Sequence, residues 1–470
     1  MSSLPLAPSW LAEPVDANAL APGLWPMSAM RGADGELRIE GVGASALARE
    51  FGTPLFVVDE ADVRTRAVAI RSAFDREFAR IGSRATVYYA AKAFLCTEVA
   101  RWIDQAGLNI DVCSGGELAV ALAAGTDPAR IGLHGNNKSQ REIDRAVQVG
   151  VGVIVIDSLV EIERIADAAV CAGRVQPVRL RVNSGVHAST HEYLATARED
   201  QKFGITLADV PAAVTRIRAY ASLHFLGLHS HIGSQIFETD GFAEAARRLL
   251  AAHAELLRDG PVPELNLGGG FGIAYTSVDE VMPVETIARR FADTVAAECA
   301  ALGIPVPAVA IEPGRSIVGP STVTLYEVGT TKPVELSTAD GTPATRLYVS
   351  VDGGMSDNIR AALYAADYSV RLANRASDAP PALVRIVGKH CESGDILVRD
   401  DYLPGDVTPG DLVAVAATGA YCWSLASNYN YLGRPPVVAV AGGVARVIVR
   451  GETEADLLSR DAGIASNGAA

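Results

Sequence analysis

Ionisable side chains stand directly beside short apolar segments in the first two thirds of the chain. Lys92 follows the letters VYYAA, His231 ends HFLGLHSH, and Glu312 follows AVAI. A lysine amine removed from water gives up its proton more readily and can form a Schiff base. A histidine can stack on an aromatic cofactor, and a carboxylate can keep a pyridine ring protonated. Taken singly, each residue also has a structural explanation, such as a salt bridge or a packed histidine.

Three consecutive glycines could let the backbone approach an anion. Gly268, Gly269 and Gly270 precede EPGR, which contains Gly314 and Arg315, and HSHIGS ends in Ser234. Amide N–H groups, a hydroxyl and a guanidinium together could form a phosphate cup. A lone glycine triplet is more often a tight turn, so this motif leaves both readings open.

The last third of the chain contains further candidates. CESGD places Cys391 beside Glu392, and GAYCWSLASNYN contains Tyr421. In SDNIRAALY, Arg360 and Tyr364 are four residues apart, which puts both on one face of a helix. Without other information CESGD is a polar turn, and an isolated pair of this kind usually marks a solvated helix face. The reactivity of Cys391 depends on exposure and pKa, which the sequence does not give.

The elements that must position these residues alternate between apolar runs and helical patterns. Eight near-continuous apolar runs are typical of parallel strands that are buried on both faces. They are Ala85–Ala91, Leu108–Cys113, Ile131–His134, Val151–Asp157, Val178–Asn183, His224–His231, Glu264–Leu267 and Ala308–Ile311. Eight β-α units predict an α/β TIM barrel, whose active site lies at the carboxyl ends of the strands.

The flanking segments have a different character. We expect the barrel to span residues 55–318, and the alternating runs that follow predict an all-β sandwich or barrel-like domain over 319–470. Residues 1–54 are expected to form an extension with one strand, within GELRIEGV, that joins the β domain. No internal repeat is evident beyond the β-α units.

The composition excludes several classes of function. The chain has 470 residues and a net charge of −14, with a pI near 5.1. Such an acidic chain is a poor ligand for nucleic acid or for an anionic membrane. The six scattered cysteines show no metal-ligand spacing and predict reduced thiols in the cytoplasm. No apolar run of about 20 residues and no signal peptide is evident, so we expect no membrane association.

Nine motifs, in order, resemble diaminopimelate decarboxylases over about residues 50 to 435. They are YYAAKAF, DVCSGGEL, HGNNKS, HSHIGSQ, NLGGGFG, EPGRSIVG, GGMSDNIRAALY, CESGD and GAYCWSLASNYN. No single motif is decisive, but nine in order are highly specific. The resemblance implies fold type III of the pyridoxal-phosphate enzymes. It also implies that meso-2,6-diaminopimelate loses carbon dioxide to give L-lysine, the last step of lysine biosynthesis.

The resemblance also implies roles for the matching positions. Lys92 would carry pyridoxal 5'-phosphate, His231 would stack on its ring, and Glu312 would pair with the pyridine nitrogen. The phosphate and cofactor contacts would come from Ser234, Gly269, Gly270, Gly314, Arg315 and Tyr421. The substrate would be bound by Arg315, Arg360, Tyr364, Glu392 and Tyr421. Cys391 would donate a proton across the interface of a homodimer with two shared sites.

Two departures from the family pattern are modest, and three alternatives are weaker. Phe94 stands where many relatives carry Asn, and GAYCWSLAS replaces the commoner GAYGYSMAS. A related decarboxylase for ornithine, lysine or arginine would bind a cationic remote end, which Arg360 would repel. An alanine racemase would set an arginine, not Glu312, against the pyridine nitrogen. A non-catalytic pyridoxal-phosphate carrier would lack the β domain.

Overall fold

The structure, a computed structural model, describes residues 6–186, 202–337, 341 and 343–464. Its strands are β1 (Met30–Arg31), β2 (Leu37–Ile39), β3 (Val42–Gly43), β4 (Leu55–Asp59), β5 (Ala85–Ala90), β6 (Asn109–Val112), β7 (Ile131–Leu133), β8 (Val153–Ile156), β9 (Gln176–Asn183), β10 (Ile205–Thr206), β11 (Leu223–His229), β12 (Glu264–Asn266), β13 (Ala308–Ile311), β14 (Thr322–Ser337), β15 (Pro343–Val351), β16 (Val370–Leu372), β17 (Pro381–Val387), β18 (Ile396–Pro404), β19 (Leu412–Val415), β20 (Val437–Ala441) and β21 (Val444–Val449). Its α-helices are α1 (Ala44–Phe51), α2 (Glu60–Arg80), α3 (Thr97–Gln105), α4 (Gly115–Ala123), α5 (Gln140–Val149), α6 (Leu159–Cys171), α7 (Val210–Arg218), α8 (Asp240–Leu256), α9 (Val284–Leu302), α10 (Arg315–Val318), α11 (Arg360–Tyr364) and α12 (Glu454–Leu458).

Eight parallel strands close into a barrel. The order is β9-β11-β12-β13-β5-β6-β7-β8, and β8 pairs back to β9, while the short β10 pairs in parallel with the last two residues of β9. Each strand of the barrel corresponds to one of the eight apolar runs in the sequence. Every residue of β8, with the sequence VIVI, is buried, as expected of a strand covered on both faces. The predicted α/β barrel is confirmed.

Helices between the strands pack on the barrel through apolar faces. In α5, Ile143, Ala146 and Val147 are buried, and the helix begins at a capping box formed by Ser139 and Glu142. That box satisfies backbone N–H groups that the first helical turn leaves without partners. Because apolar faces and helix caps are local sequence features, the alternation of strands and helices could be predicted from the sequence.

A second compact unit contains residues 1–63, 273–280 and 318–470, and the barrel unit contains 64–272 and 281–317. The main sheet of the second unit has the order β18-β17-β15-β14-β4-β20-β21, with β19 pairing to β14 and β16 to β19. Most pairs are antiparallel, whereas β15–β17 and β4–β20 are parallel. The predicted all-β domain is therefore present as a separate sheet unit.

The amino-terminal segment and β4 belong to this sheet unit. The sequence boundary at residue 55 assigned β4 to the barrel, but β4 pairs with β14 and β20. The run LFVVD is apolar throughout, so its composition suits either sheet. The segment GELRIEGV forms β2 and β3, which pair with β1 in a separate three-stranded sheet. Leu37 and Ile39 of β2 are buried in the hydrophobic core of the sheet unit.

Among the described helices, none combines the length and the hydropathy that a membrane-spanning segment requires.

Candidate active site

Lys92 lies just beyond the carboxyl end of β5. The strand ends at Ala90, and Lys92 is the middle residue of a 3-10 turn formed by Ala91–Ala93. Its side chain is exposed, whereas Ala91 and Ala93 are buried. The sequence analysis took this lysine as the end of a buried strand, whereas it lies in the turn that follows the strand. The charge of Lys92 acts on His231, His134 and Asp111, so its amine lies on the same side of the barrel as these residues. A primary amine at the rim of the barrel is accessible to a carbonyl compound.

The glycine triplet after β12 comes very close to neighbouring backbone. A Cβ on Gly269 would lie 1.9 Å from the Glu312 carbonyl oxygen, and one on Gly270 would lie 2.2 Å from that of Gly233. Gly270 also has a φ of +111°, which side-chain-bearing residues rarely adopt. The triplet therefore forms a backbone cradle that a larger residue would fill.

A hydroxyl and a guanidinium meet at the same rim. The buried Arg315, which begins α10 directly after Gly314, donates from Nη2 to Ser234 Oγ at 2.8 Å. The side chain of Ser234 is exposed. His231 is half-buried, and its Nδ1 accepts the Gly269 N–H at 3.2 Å. The guanidinium of Arg315 beside the solvent-exposed hydroxyl of Ser234 is suited to binding a phosphate or a carboxylate.

Glu312 accepts hydrogen bonds from Asn266 of β12 and His229 of β11, and it lies close to His134, the residue that follows β7. Asn266 Nδ2 lies 2.6 Å from Oε1, and His229 Nε2 lies 3.0 Å from Oε1 and 3.1 Å from Oε2. His134 Nε2 lies 3.5 Å from Oε1. Burial alone would raise the pKa of Glu312, but His229 and His134 outweigh it and hold that pKa well below its ordinary value. Glu312 is thus an ionised carboxylate at neutral pH.

The two histidines facing Glu312 are neutral. Burial lowers the pKa of His134 and of His229 to about 4, despite the attraction of Glu312. Because a carboxylate only accepts hydrogen bonds, His229 must carry its proton on Nε2. The sequence placed both histidines at strand ends without assigning them a role.

Asp111 completes this cluster from the middle of β6. The residue is 3% exposed, and its Oδ1 lies 3.2 Å from His134 Nε2. Burial, followed by the negative charge of Glu312, raises the pKa of Asp111 well above its ordinary value. A carboxyl residue within the apolar letters NIDVC was the sequence signal for this position.

The rim offers the groups that pyridoxal phosphate requires. Lys92 supplies an amine, the glycine cradle and the Ser234–Arg315 pair suit the phosphate, and Glu312 supplies the carboxylate for a pyridine nitrogen. The donor set therefore fits this cofactor.

The candidates of the sheet unit differ in exposure. Arg360 is 6% exposed, whereas Tyr364 in the same short helix α11 is 63% exposed. The i, i+4 spacing therefore does not place the two side chains in one environment. Tyr421 is half-buried and has a φ of +63°.

Cys391 and Glu392 are exposed on the turn between β17 and β18. The turn is anchored from beneath by the buried Asp395, which accepts the backbone N–H groups of His390 and Met355 at 2.8 Å and 2.6 Å. Asp395 Oδ2 also lies 2.9 Å from His390 Nδ1. Cys391 is thus an exposed residue on a turn that these hydrogen bonds hold in place.

The chain matches known families over most of its length. Residues 61–319 match the family described as "Pyridoxal-dependent decarboxylase, pyridoxal binding domain". Diaminopimelate decarboxylase of Mycobacterium tuberculosis H37Rv is 55% identical over 94% of this chain and 98% of its own. The protein of the same name from Staphylococcus aureus is 43% identical over 91% and 98%.

The comparison with solved structures indicates the same family as the sequence comparison. Diaminopimelate decarboxylase from M. jannaschii has a TM-score of 0.85 and 30% identity, over 92% of this chain and 97% of its own. A lysine/ornithine decarboxylase from Vibrio vulnificus, at 21% identity and a TM-score of 0.68 over 85% and 97%, shares the fold. Sequence and structure therefore lead to one conclusion: the chain belongs to the diaminopimelate decarboxylase family of pyridoxal-dependent decarboxylases.

Proposed function

We propose that the protein is a carboxy-lyase that converts meso-2,6-diaminopimelate to L-lysine and carbon dioxide with pyridoxal 5'-phosphate. The observation that carries this proposal is the ionised Glu312 on a rim that also presents Lys92. A carboxylate opposite the pyridine nitrogen favours its protonated form, which decarboxylation uses and which an opposing arginine would disfavour.

In this proposal the cofactor is held entirely by residues of the barrel rim and by Tyr421. Lys92 would hold it covalently through its amine, and His231 would lie against the ring. Contacts with the phosphate would come from Ser234, Gly269, Gly270, Gly314 and Arg315. When bound, pyridoxal phosphate supplies an electron-withdrawing ring that accepts the electron pair left as carbon dioxide departs.

The remaining roles concern the substrate. Arg360 and Arg315 would bind carboxylate, Glu392 would bind the remote ammonium, and Tyr364 and Tyr421 would add hydroxyl contacts. Cys391 would donate its thiol proton to the carbon that has lost the carboxylate, and solvent would reprotonate the thiolate. Binding at the remote end orients the bond that breaks.

We also propose a homodimer with shared sites. Support comes from the exposure of Tyr364, Cys391 and Glu392 in a single chain, although all three are assigned to catalysis or substrate binding. A partner subunit would cover them. A cytoplasmic location is likewise proposed, because all six cysteines are free thiols.

The test is carbon dioxide release by the purified protein supplied with pyridoxal phosphate. Meso-diaminopimelate, L-lysine, L-ornithine and L-arginine are compared side by side, and we expect release from diaminopimelate alone with L-lysine as product. Release from a basic amino acid instead would overturn the substrate and leave the cofactor assignment intact.

Lys92→Ala tests the cofactor assignment separately. The variant should lose the visible absorbance of bound pyridoxal phosphate, because the amine proposed to form the covalent link is gone. Lys332→Ala, a change in β14 of the sheet unit, is the matched control and should keep the band. An unchanged spectrum of Lys92→Ala contradicts the assignment.

A further inference from the structure

Arg360 is a buried cation whose side-chain partners are neutral. Its Nη1 donates to the hydroxyl of Tyr275 at 2.8 Å and to that of Tyr368 at 2.5 Å. In the part of the chain that the structure describes, no carboxylate lies within ion-pairing distance of this guanidinium. A charge that is removed from water without a counter-ion is costly, so the site favours an anionic ligand.

Both tyrosine rings also stabilise the cation. The Arg360 Cζ lies 4.9 Å from the ring centroid of Tyr275 and 5.7 Å from that of Tyr368. The rings meet edge to face, 5.1 Å apart with an interplanar angle of 78°. Tyr368 is 1% exposed and Tyr275 is 6% exposed. We call Arg360, Tyr275 and Tyr368 the arginine cage.

The hydrogen bonds of the cage fix which edge of the guanidinium remains available. Both hydrogens of Nη1 are used by the two phenols, because a guanidinium only donates. Within the described residues nothing accepts from Nε or Nη2. These two atoms form an edge that matches the two oxygens of one carboxylate.

The cage has a further support at Tyr368. Since Tyr368 accepts from Arg360, its own proton can go to the sulfur of Cys422 at 3.4 Å, and that thiol lies 3.8 Å from the Ala420 carbonyl oxygen. Burial raises the pKa of Tyr368 well above its ordinary value, so the phenol stays neutral and does not cancel the charge. Cys422 is one of the departures from the commoner family motif.

We propose that Tyr275 and Tyr368 are positioning residues that set specificity, because they aim the Nε–Nη2 edge of Arg360 at the remote carboxylate of the substrate. This inference rests on the proposed function. Substrates with a cationic remote end meet an uncompensated positive charge and are rejected. Without the hydroxyls, the guanidinium can turn to other orientations and the discrimination weakens.

The test compares holoenzyme variants in binding and in turnover. L-lysine keeps the carboxylate and ammonium of the remote end, and 1,5-diaminopentane is the same molecule without the carboxylate. Calorimetry should show that the wild type prefers L-lysine and that Tyr368→Phe reduces this preference roughly tenfold, the effect of one hydrogen bond to a charged group. The KM for diaminopimelate should rise about tenfold and kcat should change much less.

Two controls separate positioning from a loss of structure. Tyr402→Phe removes the hydroxyl of another buried tyrosine of the sheet unit, which has no hydrogen-bond partner among the described residues, and should leave KM and ligand preference unchanged. Tyr368→Phe in an Arg360→Ala background should add no further rise in KM, because the group that it positions is gone.

The outcomes are distinguishable from a failure of the proposed function. A wild type that does not decarboxylate diaminopimelate refutes the function itself. A wild type that does so, with a ligand preference that Tyr275→Phe and Tyr368→Phe both leave intact, refutes the cage. An equal KM effect of Tyr368→Phe with and without Arg360 also refutes it.

Discussion

At the scale of single residues, two neighbouring carboxyl groups of the barrel have pKa values shifted in opposite directions. Burial and the charge of Glu312 raise the pKa of Asp111, whereas the histidines around Glu312 outweigh burial and lower its pKa. The raised pKa means that the contribution of Asp111 to stability is present at low pH and is lost as the pH rises. The contribution of Glu312 is complete above its ordinary pKa of 4.5 and is lost only in acid.

Substitution by the neutral amides should therefore have opposite effects. In cofactor-free protein, Asp111→Asn should keep or raise the Tm, and its advantage over the wild type should grow as the pH rises above 3.8, the ordinary pKa of this carboxyl group, toward its raised value in the folded protein. Glu312→Gln should lower the free energy of unfolding by about 1–3 kcal/mol at pH 7, because buried donors lose their charged acceptor. Thermal unfolding across this pH range measures both. Equal losses in the two variants would show that the carboxyls share one environment.

The sequence predicted some of these residues and missed others for a physical reason. Lys92 and Glu312 could be selected because strand ends of a barrel meet at one rim, so a local pattern implies a spatial one. Tyr275 and Arg360 are 85 residues apart, and no local pattern connects them. The arginine cage could therefore be identified only in the tertiary structure. The same holds for the exposure of Tyr364, because helical spacing alone predicted that Tyr364 and Arg360 share one face.

At the scale of elements, α8 carries a buried histidine that should make the protein sensitive to acid. His253 is 1% exposed, its Nδ1 has no hydrogen-bond partner among the described residues, and burial lowers its pKa from 6.5 to about 4. A depressed histidine pKa leaves stability complete above pH 6.5. That stability is lost as the pH falls toward 4, because the unfolded chain binds the proton first.

His253→Met should remove this contribution. Between pH 6.5 and 4, the wild type should lose up to about 1.4 kcal/mol per pH unit more than the variant. Urea unfolding at several pH values measures the two slopes. The same change at His224, an exposed histidine of β11, should leave the slope as in the wild type. Parallel curves for wild type and His253→Met would contradict the expectation.

At the scale of the whole molecule, the path of the chain between the two units was the least predictable feature. Each of the eight barrel strands could be predicted from a single apolar run, without knowledge of the strands that pair with it. For β4 the partners are distant in sequence: Val58 pairs with Thr322, and Phe56 with Val437. Residues 273–280 likewise belong to the sheet unit although barrel segments flank them. Apolar composition predicts a strand but does not select its sheet.

The proposed homodimer leads to a prediction that only a shared site can satisfy. Lys92 lies on the barrel rim, and Cys391 is exposed on the turn between β17 and β18. If each site takes Lys92 from one subunit and Cys391 from the other, Lys92→Ala and Cys391→Ala are each inactive alone. A heterodimer of the two has one site with both defects and one site with none.

Mixing the two inactive variants should therefore restore activity. Random pairing makes half of the dimers mixed, each with one intact site, so an equal mixture should recover roughly one quarter of wild-type activity. Carbon dioxide release from diaminopimelate measures the recovery, and differently tagged subunits that co-purify prove the exchange. A double variant Lys92→Ala/Cys391→Ala mixed with Lys92→Ala is the control, because no intact site can form. Exchange without recovery would place both residues in the site of a single subunit.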